Sequence, residues 1–392
     1  MSAPAARPAV VVAPRGVGRL RSGHPWIFRS DVRDADGDRP GVVRLVDERG
    51  KGLGSALYSP ASEIRARWIA PEGIAVGVEW WQAMLRAAAD RRRGIADGAW
   101  RVVHAEGDGL PSLIVDRYGD CVVAHLLSAG LEAVRDDVVA AIREVLAPAG
   151  LLLRNDAAVR ERERLPREVT LAFGVVPEEL VVEEAPGVRW VATPWTGQKT
   201  GGFLDQRENR RDVGALARGR CLDAFAYQGG FALHLARGGA REVVAVEISR
   251  DAVERLRRNA ELNGMGGVRA VEANAFDWLK EAAAAGERYD VVVLDPPAFA
   301  RDRRSLPRAL AGYKEVNLRA MQLLAPGGLL FTASCSHHVH RGDFFAMLAD
   351  AATDSGRRLQ LLEIRGAAAD HPEIVTIPET GYLKGALLRA LD

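Results

Sequence analysis

The feature that most constrains the fold is a regular alternation of apolar runs and helical patterns from about residue 181 onward. The apolar runs are predicted strands, and the segments between them place apolar residues at helical spacing. Such alternation is typical of a parallel, doubly wound α/β sheet, and a continuous apolar strand such as VVVL indicates burial on both faces. The predicted strands are CLDAFA, REVVAVEIS, VRAVEANA, YDVVVLDPP and LLFTASCS.

The N-terminal half follows another pattern. Residues 8–75 contain four short predicted strands, AVVVA, GVVRLVDERG, GLGSALYSP and EIRARWIA, separated by Gly and Pro. A helix over 78–96, a hairpin around Tyr118-Gly119-Asp120 and a helix in GLEAVRDDVVAAIREVLAP then predict a small mixed domain. We therefore expect three domains: a β-rich domain over 1–75, a central α+β domain over 76–180 and the α/β domain over 181–392.

Charge and cysteine content limit the function classes. The 392-residue chain has a formal net charge of +1, so no overall basicity indicates a nucleic-acid partner. Residues 1–75 carry twelve Lys or Arg against eight Asp or Glu, as an RNA-facing module would, although a solvated Arg-rich surface gives the same excess. Three cysteines provide no disulfide framework and favour the cytoplasm. No run approaches the ~18–20 apolar residues of a membrane span.

Several residues at strand ends predict a nucleotide pocket, because ligands of doubly wound sheets bind beyond the carboxyl ends of the strands. Gly229 and Gly230 follow the first strand without the third glycine of a dinucleotide-binding G-x-G-x-x-G turn. Glu247 ends the second strand, where an acid can accept hydrogen bonds from both ribose hydroxyls; an NAD-dependent enzyme would also use one. Asn274 follows the third strand, where its side chain can accept a hydrogen bond from an adenine amino group, with Phe276 near the adenine ring. Together they predict a site for an adenosine without a diphosphate, which S-adenosylmethionine fits.

The fourth strand ends in Asp295-Pro296-Pro297, with Phe299 two residues on. The prolines stiffen the loop and remove backbone donors, so that carbonyl oxygens and the Asp295 carboxylate are left as acceptors. The N–H groups of a nucleobase need such acceptors, and Phe299 offers a stacking face. This D-P-P-x-[FY] pattern favours methylation of a base over hydride transfer by an NAD-dependent oxidoreductase.

Cys335 follows the fifth strand and precedes His337, His338 and His340. It is a packing residue, a zinc ligand, a nucleophile, or a bystander in an enzyme that methylates an exocyclic base nitrogen through the Asp-Pro-Pro-x-Phe loop. The C-x-H-H-x-H spacing is unusual for zinc, and no C-x-x-C partner exists. A strand end facing the predicted pocket favours a chemical role over packing.

Motifs in order along nearly the whole chain resemble the ribosomal RNA large subunit methyltransferase I family, whose members make 5-methylcytidine. These are LRSGHPWIF, DGLPSLIVDRYGD, GQKTGGFLDQRENR, FAYQGGFAL, LDPPAF, GYKEVN, SCS and DHPEIVTIPETGYLKG. The resemblance implies a Rossmann-like class I methyltransferase domain, an N-terminal PUA-like β-barrel that binds RNA, and a central α+β domain. It also implies S-adenosyl-L-methionine as cofactor, 23S rRNA or a large-subunit assembly intermediate as substrate, a homodimer, and a cysteine nucleophile that aligns with Cys335. In such an enzyme a thiolate adding to C6 of cytosine would activate C5 for methylation. Ala298 stands where the family commonly has lysine, and Asn274 where aspartate is usual.

The strand-end residues and the resemblance together give the candidate site. The catalytic residues are Cys335 and Asp295. The cofactor-binding residues are Asp223, Phe225, Tyr227, Gly229, Gly230, Glu247, Ile248, Asn274, Ala275, Asp205, Gln206 and Arg210. The substrate-binding residues are Pro296, Pro297, Phe299 and Lys199, and no metal is expected. The alternative of another class is an RNA-binding ribosome assembly factor with an inactive methyltransferase fold, which a failure to bind S-adenosylmethionine would support.

Overall fold

The computed structural model describes residues 8–95, 98–300, 302 and 304–392, which form two compact units. Unit 1 comprises the residues up to Leu180, together with Ala192–Leu204 and Asp370–Thr380. Unit 2 comprises Val181–Val191, Asp205–Ala369 and Gly381–Asp392. The chain therefore passes between the units several times, and the domain boundaries expected near residues 75 and 180 stay predictions.

The first sheet of unit 1 has six strands. The elements are β1 (Ala9–Val12), α1 (Pro14–Arg21), β2 (Trp26–Phe28), β3 (Val32–Ala35), β4 (Gly41–Asp47), β5 (Gly52–Tyr58) and β6 (Ile64–Ala70), with the strand order β2-β6-β5-β4-β1-β3. Val12, Ile27 and Leu45 are fully buried beneath the sheet. The four strands predicted for this region are confirmed, and β2 and β3 are additional.

The second sheet of unit 1 has five strands, with helices between them. The elements are α2 (Val78–Asp90), β7 (Ala99–His104), β8 (Leu113–Tyr118), β9 (Cys121–Leu126), α3 (Ala129–Glu132), α4 (Arg135–Leu146), β10 (Gly150–Asn155), α5 (Val159–Arg162) and β11 (Glu168–Gly174), with the strand order β11-β10-β9-β8-β7. Trp81 of α2 and Ile142 of α4 are fully buried in the same apolar core. The predicted hairpin is confirmed, since Tyr118 pairs with Cys121.

Two helix predictions in unit 1 were wrong in extent. The single helix expected in GLEAVRDDVVAAIREVLAP is divided into α3 and α4, because Val134 has φ −117° and ψ 24°, outside the helical region. The helix expected over 78–96 ends at Asp90, and Ala96 lies outside the described residues. Beyond this end Arg92 donates hydrogen bonds to the Ala88 carbonyl and to both carboxylate oxygens of Asp108.

Unit 2 is built on a seven-stranded sheet. The elements are β12 (Leu180–Ala185), β13 (Val188–Ala192), α6 (Arg207–Gly214), β14 (Arg220–Ala224), α7 (Gly230–Arg237), β15 (Glu242–Glu247), α8 (Arg250–Leu262), β16 (Val268–Glu272), α9 (Ala275–Ala284), β17 (Tyr289–Leu294), α10 (Leu306–Gln322), β18 (Leu324–Ser334), α11 (Arg341–Ser355), β19 (Leu359–Arg365) and β20 (Lys384–Ala390). The strand order is β16-β15-β14-β17-β18-β20-β19, and β12 and β13 form a separate hairpin. All five strands predicted from the alternating pattern are confirmed.

The parallel pairing expected for the five predicted strands is confirmed, but the sequence did not predict the two strands that extend the sheet beyond β18. The strands from β14 to β18 pair in parallel, but β20 is antiparallel to both β18 and β19. A parallel strand needs a long crossover, usually an α-helix, and between β19 and β20 the described chain has only a short 3-10 turn at Pro378–Thr380. Among the helices described, none combines the length and apolar character that crossing a bilayer requires.

Candidate active site

The carboxyl ends of the parallel strands in unit 2 carry most of the predicted site residues. Since β14 and β17 are hydrogen-bonded neighbours, Phe225 and Asp295 follow adjacent strand ends. β18 pairs with β17 through Thr332 and Leu294, so Cys335 follows the next strand end along the sheet. Groups from separate parts of the chain therefore converge at one edge, where ligands of such sheets bind.

The turn after β14 has a strained backbone. Phe225 and Tyr227 have φ values of 69° and 49°, a left-handed conformation that few residues other than glycine adopt. Gly229 has φ 90°, and a Cβ there would lie 2.9 Å from Leu256 Cγ. Because strain of this kind is concentrated at ligand sites, the turn is a candidate binding loop.

Glu247, at the end of β15, holds this turn in place. Its Oε2 accepts a hydrogen bond from the Tyr227 backbone N–H at 2.9 Å, and its Oε1 accepts from the Ser249 N–H at 2.8 Å. Ile248, which lies between Glu247 and Ser249 in the sequence, has an exposed side chain. Each carboxylate oxygen can accept a second bond, so the contacts are compatible with the ribose role, which stays a prediction.

Asp223, in β14, is a buried carboxyl group beside the same turn. Its Oδ2 accepts a hydrogen bond from the backbone N–H of Ala232 at 2.9 Å, whereas its Oδ1 has no hydrogen-bond partner in the described part of the chain. Burial raises the pKa of Asp223 to about 8, and the negative charges of Asp295 and Glu247 act in the same direction. At neutral pH the group is therefore largely protonated.

Asp295 is positioned by a chain of side-chain amides. Gln206 Nε2 donates a hydrogen bond to Asp295 Oδ1 at 2.9 Å, and Asn209 Nδ2 donates to Gln206 Oε1 at 2.6 Å. Of the two prolines that follow, Pro296 is buried and Pro297 is exposed. The structure thus brings together Gln206 and Asp295, which were predicted for different roles.

The motif GQKTGGFLDQRENR, residues 197–210, is divided between the units. Lys199 belongs to unit 1, where its ammonium nitrogen lies 4.4 Å from the centroid of the Phe203 ring. Asp205 belongs to unit 2, where its Oδ2 accepts a hydrogen bond from the Tyr382 hydroxyl at 2.7 Å. The substrate and cofactor roles assigned to these two residues stay predictions.

Arg210 forms a buried ion pair that the sequence did not reveal. Its Nε and Nη2 donate to Glu184 Oε1 and Oε2 at 2.8 and 2.6 Å, and His234 Nε2 lies 2.9 Å from Oε1. Burial alone would raise the pKa of Glu184, but the Arg210 charge and the His234 hydrogen bond outweigh it and lower this pKa to about 2. The only signal for this ion pair in the sequence was the acidic pair Glu183-Glu184, just before the Pro186-Gly187 turn of the β12–β13 hairpin.

An aromatic cluster lines the strand ends. Phe299 packs on Tyr313 of α10, with ring centroids 4.5 Å apart, and lies 5.6 Å from Phe276. Phe225 contacts both phenylalanines at 6.1 and 6.3 Å. The predicted stacking residue Phe299 is therefore part of a larger apolar surface, and Tyr313 is a member that the sequence did not single out.

Asn274 and Ala275 mark the start of α9. The side-chain oxygen of Asn274 accepts a hydrogen bond from the Phe276 backbone N–H at 2.9 Å and so caps the helix, while Ala275 is buried. This cap explains why Asn is tolerated at the strand end. The adenine contact expected for Asn274 stays a prediction.

Cys335 lies directly after β18 and is half-buried between Ser334 and Ser336, which are buried. The Tyr313 hydroxyl lies 2.9 Å from Ser336 Oγ, and the Ala300 backbone N–H donates to the same oxygen at 3.3 Å. Ser336 therefore ties the loop after Cys335 to α10 and to the loop after β17.

The other two thiols have different surroundings. Cys121 and Cys221 are buried inside strands, and burial raises the pKa of both thiols, that of Cys221 to about 11. Such thiols are poor nucleophiles, consistent with packing roles. No group of three or more His, Cys, Asp or Glu residues suited to a metal ion occurs among the described residues.

Comparison with known proteins identifies the family. A sequence model of S-adenosylmethionine-dependent methyltransferases matches residues 176–389, and a PUA-like domain model matches residues 10–71. Ribosomal RNA large subunit methyltransferase I of Aeromonas hydrophila is 40% identical over 94% of this chain and 95% of its own. The Klebsiella pneumoniae protein of the same name is 38% identical over 98% of both chains. The chain belongs to the ribosomal RNA large subunit methyltransferase I family.

Solved structures agree with this assignment at the level of the fold. A putative S-adenosylmethionine-dependent methyltransferase from Streptococcus mutans superposes with a TM-score of 0.82 at 21% identity, covering 97% of this chain and 99% of that one. A putative methyltransferase complexed with SAH gives a TM-score of 0.84 at 22% identity with the same coverage. The α/β class, the Rossmann-like methyltransferase domain and the PUA-like N-terminal domain are thus confirmed.

S-adenosylmethionine is the cofactor of this family, and the residues of unit 2 fit it. A Cβ at Gly230 would lie 2.8 Å from Arg210 Cδ, so the turn needs glycine where the chain approaches the site. The buried Oδ1 of Asp223 and the carboxylate of Glu247 are polar groups available to hydrogen-bond the amino and hydroxyl groups of a ligand. Family membership also decides against the NAD-dependent oxidoreductase considered above.

Proposed function

We propose that this protein methylates C5 of a cytosine in 23S rRNA, with Cys335 as nucleophile and Asp295 as the residue that holds the base. The observation that carries the proposal is that these two residues follow adjacent, paired strands, β17 and β18. A thiol and a carboxylate beside each other are what C5 methylation requires. The RNA substrate is inferred from relatives named as large-subunit ribosomal RNA methyltransferases.

The thiol is needed because C5 of cytosine is too weak a nucleophile to take a methyl group unaided. Attack of the Cys335 thiolate forms a bond to C6 and moves the C5=C6 electron pair to C5, which becomes nucleophilic. S-adenosylmethionine supplies a methyl group on a positively charged sulfur. The sulfur is the leaving group and keeps the electron pair of the sulfur–methyl bond. Loss of the C5 proton to a base then restores the double bond and expels the thiolate.

Asp295 and the aromatic cluster position the base. With Gln206 fixing its Oδ1, the Asp295 carboxylate accepts hydrogen bonds from the N–H groups of the cytosine and stabilises the adduct. Phe299 offers a ring face next to Phe276 and Phe225. The target nucleotide must leave any stack to reach Cys335, at a cost on the order of a few kcal/mol.

The PUA-like domain supplies a basic surface for RNA. Part of its positive excess is neutralised internally, since Arg15 and Arg19 pair with the buried Asp31. In the described part of this domain, Arg21 and Arg39 are exposed and form no ion pair. Such side chains are suited to phosphate contacts, which release counterions from the RNA.

The test uses labelled S-adenosylmethionine and unmodified 23S rRNA with the wild type, Cys335→Ala and the control Cys221→Ala. Nucleosides from the digested RNA are identified by mass spectrometry. We expect 5-methylcytidine from the wild type and the control and none from Cys335→Ala.

Other outcomes decide between the alternatives. An N-methylated base, or full activity of Cys335→Ala, would mean that the Asp-Pro-Pro-x-Phe loop acts without a nucleophile. A wild-type protein that binds the RNA but not S-adenosylmethionine would be an assembly factor. The homodimer and the cytoplasmic location stay predictions, and light scattering tests the first.

A further inference from the structure

Lys384, the first residue of β20, is a buried cation next to the proposed nucleophile. It lies directly opposite Ser334 in the antiparallel β18–β20 pair, and Ser334 immediately precedes Cys335. Only 4% of the Lys384 surface is exposed. Lysine is rarely buried to this extent without a partner, so its surroundings need an explanation.

The ammonium group of Lys384 donates hydrogen bonds to the backbone of two separate segments, the loop after β18 and the chain just before β20. Its Nζ donates hydrogen bonds of 2.7 Å to the carbonyl oxygens of Ser336 and Tyr382. Cys335 therefore lies between Ser334, which pairs with Lys384 across the two strands, and Ser336, whose carbonyl accepts the Lys384 hydrogen bond. An ammonium has three N–H groups, and these carbonyls use two of them.

The charges around Lys384 indicate which group compensates it. Burial lowers the pKa of Lys384 to about 8, the positive charge of Arg341 lowers it too, and the negative charge of Cys335 raises it. Cys335 is therefore the ionisable neighbour whose negative charge would favour the charged form of Lys384.

We propose that Lys384 is a positioning residue that stabilises the thiolate of Cys335 and fixes the loop that carries it. This inference rests on the proposed function of Cys335. The ammonium acts as a point charge beside the sulfur, while its two carbonyl contacts hold Ser336 and Tyr382. A cation beside a cysteine favours the thiolate, which is the nucleophilic form.

Other titratable groups contact the elements around the thiol. Arg341 lies at the start of α11, and Tyr313 of α10 interacts with Cys335 electrostatically. The His337 ring packs 5.5 Å from the Tyr382 ring, and Asp295 follows β17. A test of Lys384 must therefore measure the thiol itself and change this one cation.

The experiment measures the rate at which iodoacetamide alkylates Cys335 in the full-length protein, as a function of pH. The tryptic peptide over residues 320–341 contains this cysteine alone, so mass spectrometry reads its modification separately from that of Cys121 and Cys221. The variants are Lys384→Met, which removes the charge at similar length, and Lys384→Arg, which keeps it. Lys314→Met is the matched control, since Lys314 pairs with Asp354 on the surface.

In Lys384→Met we expect the alkylation rate at neutral pH to fall about tenfold, which corresponds to a displacement of about one pKa unit. The midpoint of the profile moves to higher pH, while the rate at alkaline pH is unchanged. Lys384→Arg restores part of the rate, and Lys314→Met matches the wild type. An unchanged profile in Lys384→Met would overturn the proposal.

A wild-type measurement keeps the proposal testable if Lys384→Met does not fold. The Cys335 profile is compared with that of glutathione, and a midpoint at or above that of the small thiol would overturn it. Failure of the proposed function is seen separately. If Cys335→Ala still makes 5-methylcytidine while Lys384→Met displaces the alkylation profile, Lys384 stabilises a thiolate that is not the nucleophile.

Discussion

The side-chain amide of Gln206 donates a hydrogen bond to Asp295 Oδ1 at 2.9 Å, across 89 residues of sequence. Asn209 fixes the same amide from behind, because it donates to Gln206 Oε1 and to the carbonyl of Gly366. The orientation of the carboxylate that is proposed to hold the base therefore depends on a short polar chain that starts in α6.

Replacing Gln206 by Met removes this donor at similar side-chain length. Hydrogen bonds to charged groups contribute about 1.5–3 kcal/mol, so we expect methyl transfer in a single turnover at saturating cofactor and RNA to slow by about 10- to 100-fold. Gln322→Met, in a surface contact with Arg319, is the control. A single-turnover rate equal to that of the wild type would show that Asp295 does not need Gln206.

The ion pair of Glu184 with Arg210 makes the stability of unit 2 sensitive to acid. The pKa of Glu184 is lowered from 4.5 to about 2, so its contribution is fully present above pH 4.5 and is lost as the pH falls toward 2. Glu184→Gln leaves a buried guanidinium without its counterion, which costs about 3–5 kcal/mol. We expect a much lower melting temperature at neutral pH and a smaller further loss on acidification.

The control for Glu184→Gln is Glu254→Gln, which removes an exposed pair with Arg250 on α8. Exposed i,i+4 pairs contribute about 0.3–0.5 kcal/mol, so the melting temperature should change little. Differential scanning calorimetry from acid to neutral pH measures the melting temperature of both variants. Equal decreases in melting temperature would contradict the buried role of Glu184.

Asp223 has the opposite pH dependence. Its pKa is raised from 3.8 to about 8 by burial, so the unfolded chain releases the proton at lower pH than the folded protein. The wild type therefore loses stability as the pH rises from 3.8 toward 8. Asp223→Asn, which does not titrate, should gain in melting temperature relative to the wild type across that range. If the difference in melting temperature between Asp223→Asn and the wild type does not vary with pH, Asp223 ionises normally.

Gly229 allows us to separate a local clash from backbone strain alone. Gly229→Ala places a Cβ 2.9 Å from Leu256 Cγ at φ 90°, whereas Gly264→Ala at φ 65° meets nothing within 4 Å. A left-handed conformation costs a non-Gly residue about 1–2 kcal/mol, so both variants lose some stability. We expect only Gly229→Ala to weaken S-adenosylmethionine binding, measured by calorimetry. Equal affinities in the two variants would exclude the turn after β14 from the cofactor site.

Local patterns were sufficient to predict many of the elements, including the five parallel strands of unit 2. The alternation of buried strands and helices after residue 181 predicted β14 to β18 in chain order, because periodicity depends on near neighbours in the chain. The rule that parallel strands present their carboxyl ends together then placed Glu247, Asp295 and Cys335 on one side. The order of the motifs along the chain also indicated the family.

Tertiary structure alone decided which side chains meet. Lys384 contacts the carbonyl of Ser336 across 48 residues, and Arg210 meets Glu184 across 26. No periodicity encodes such pairs, because they depend on the direction of β20 and on the hairpin that carries Glu184. The sequence by itself determined the five parallel strands of unit 2, the helices between them and the class of chemistry. Folding determined the charges around Cys335 and Asp295, because long-range pairing sets burial and distance.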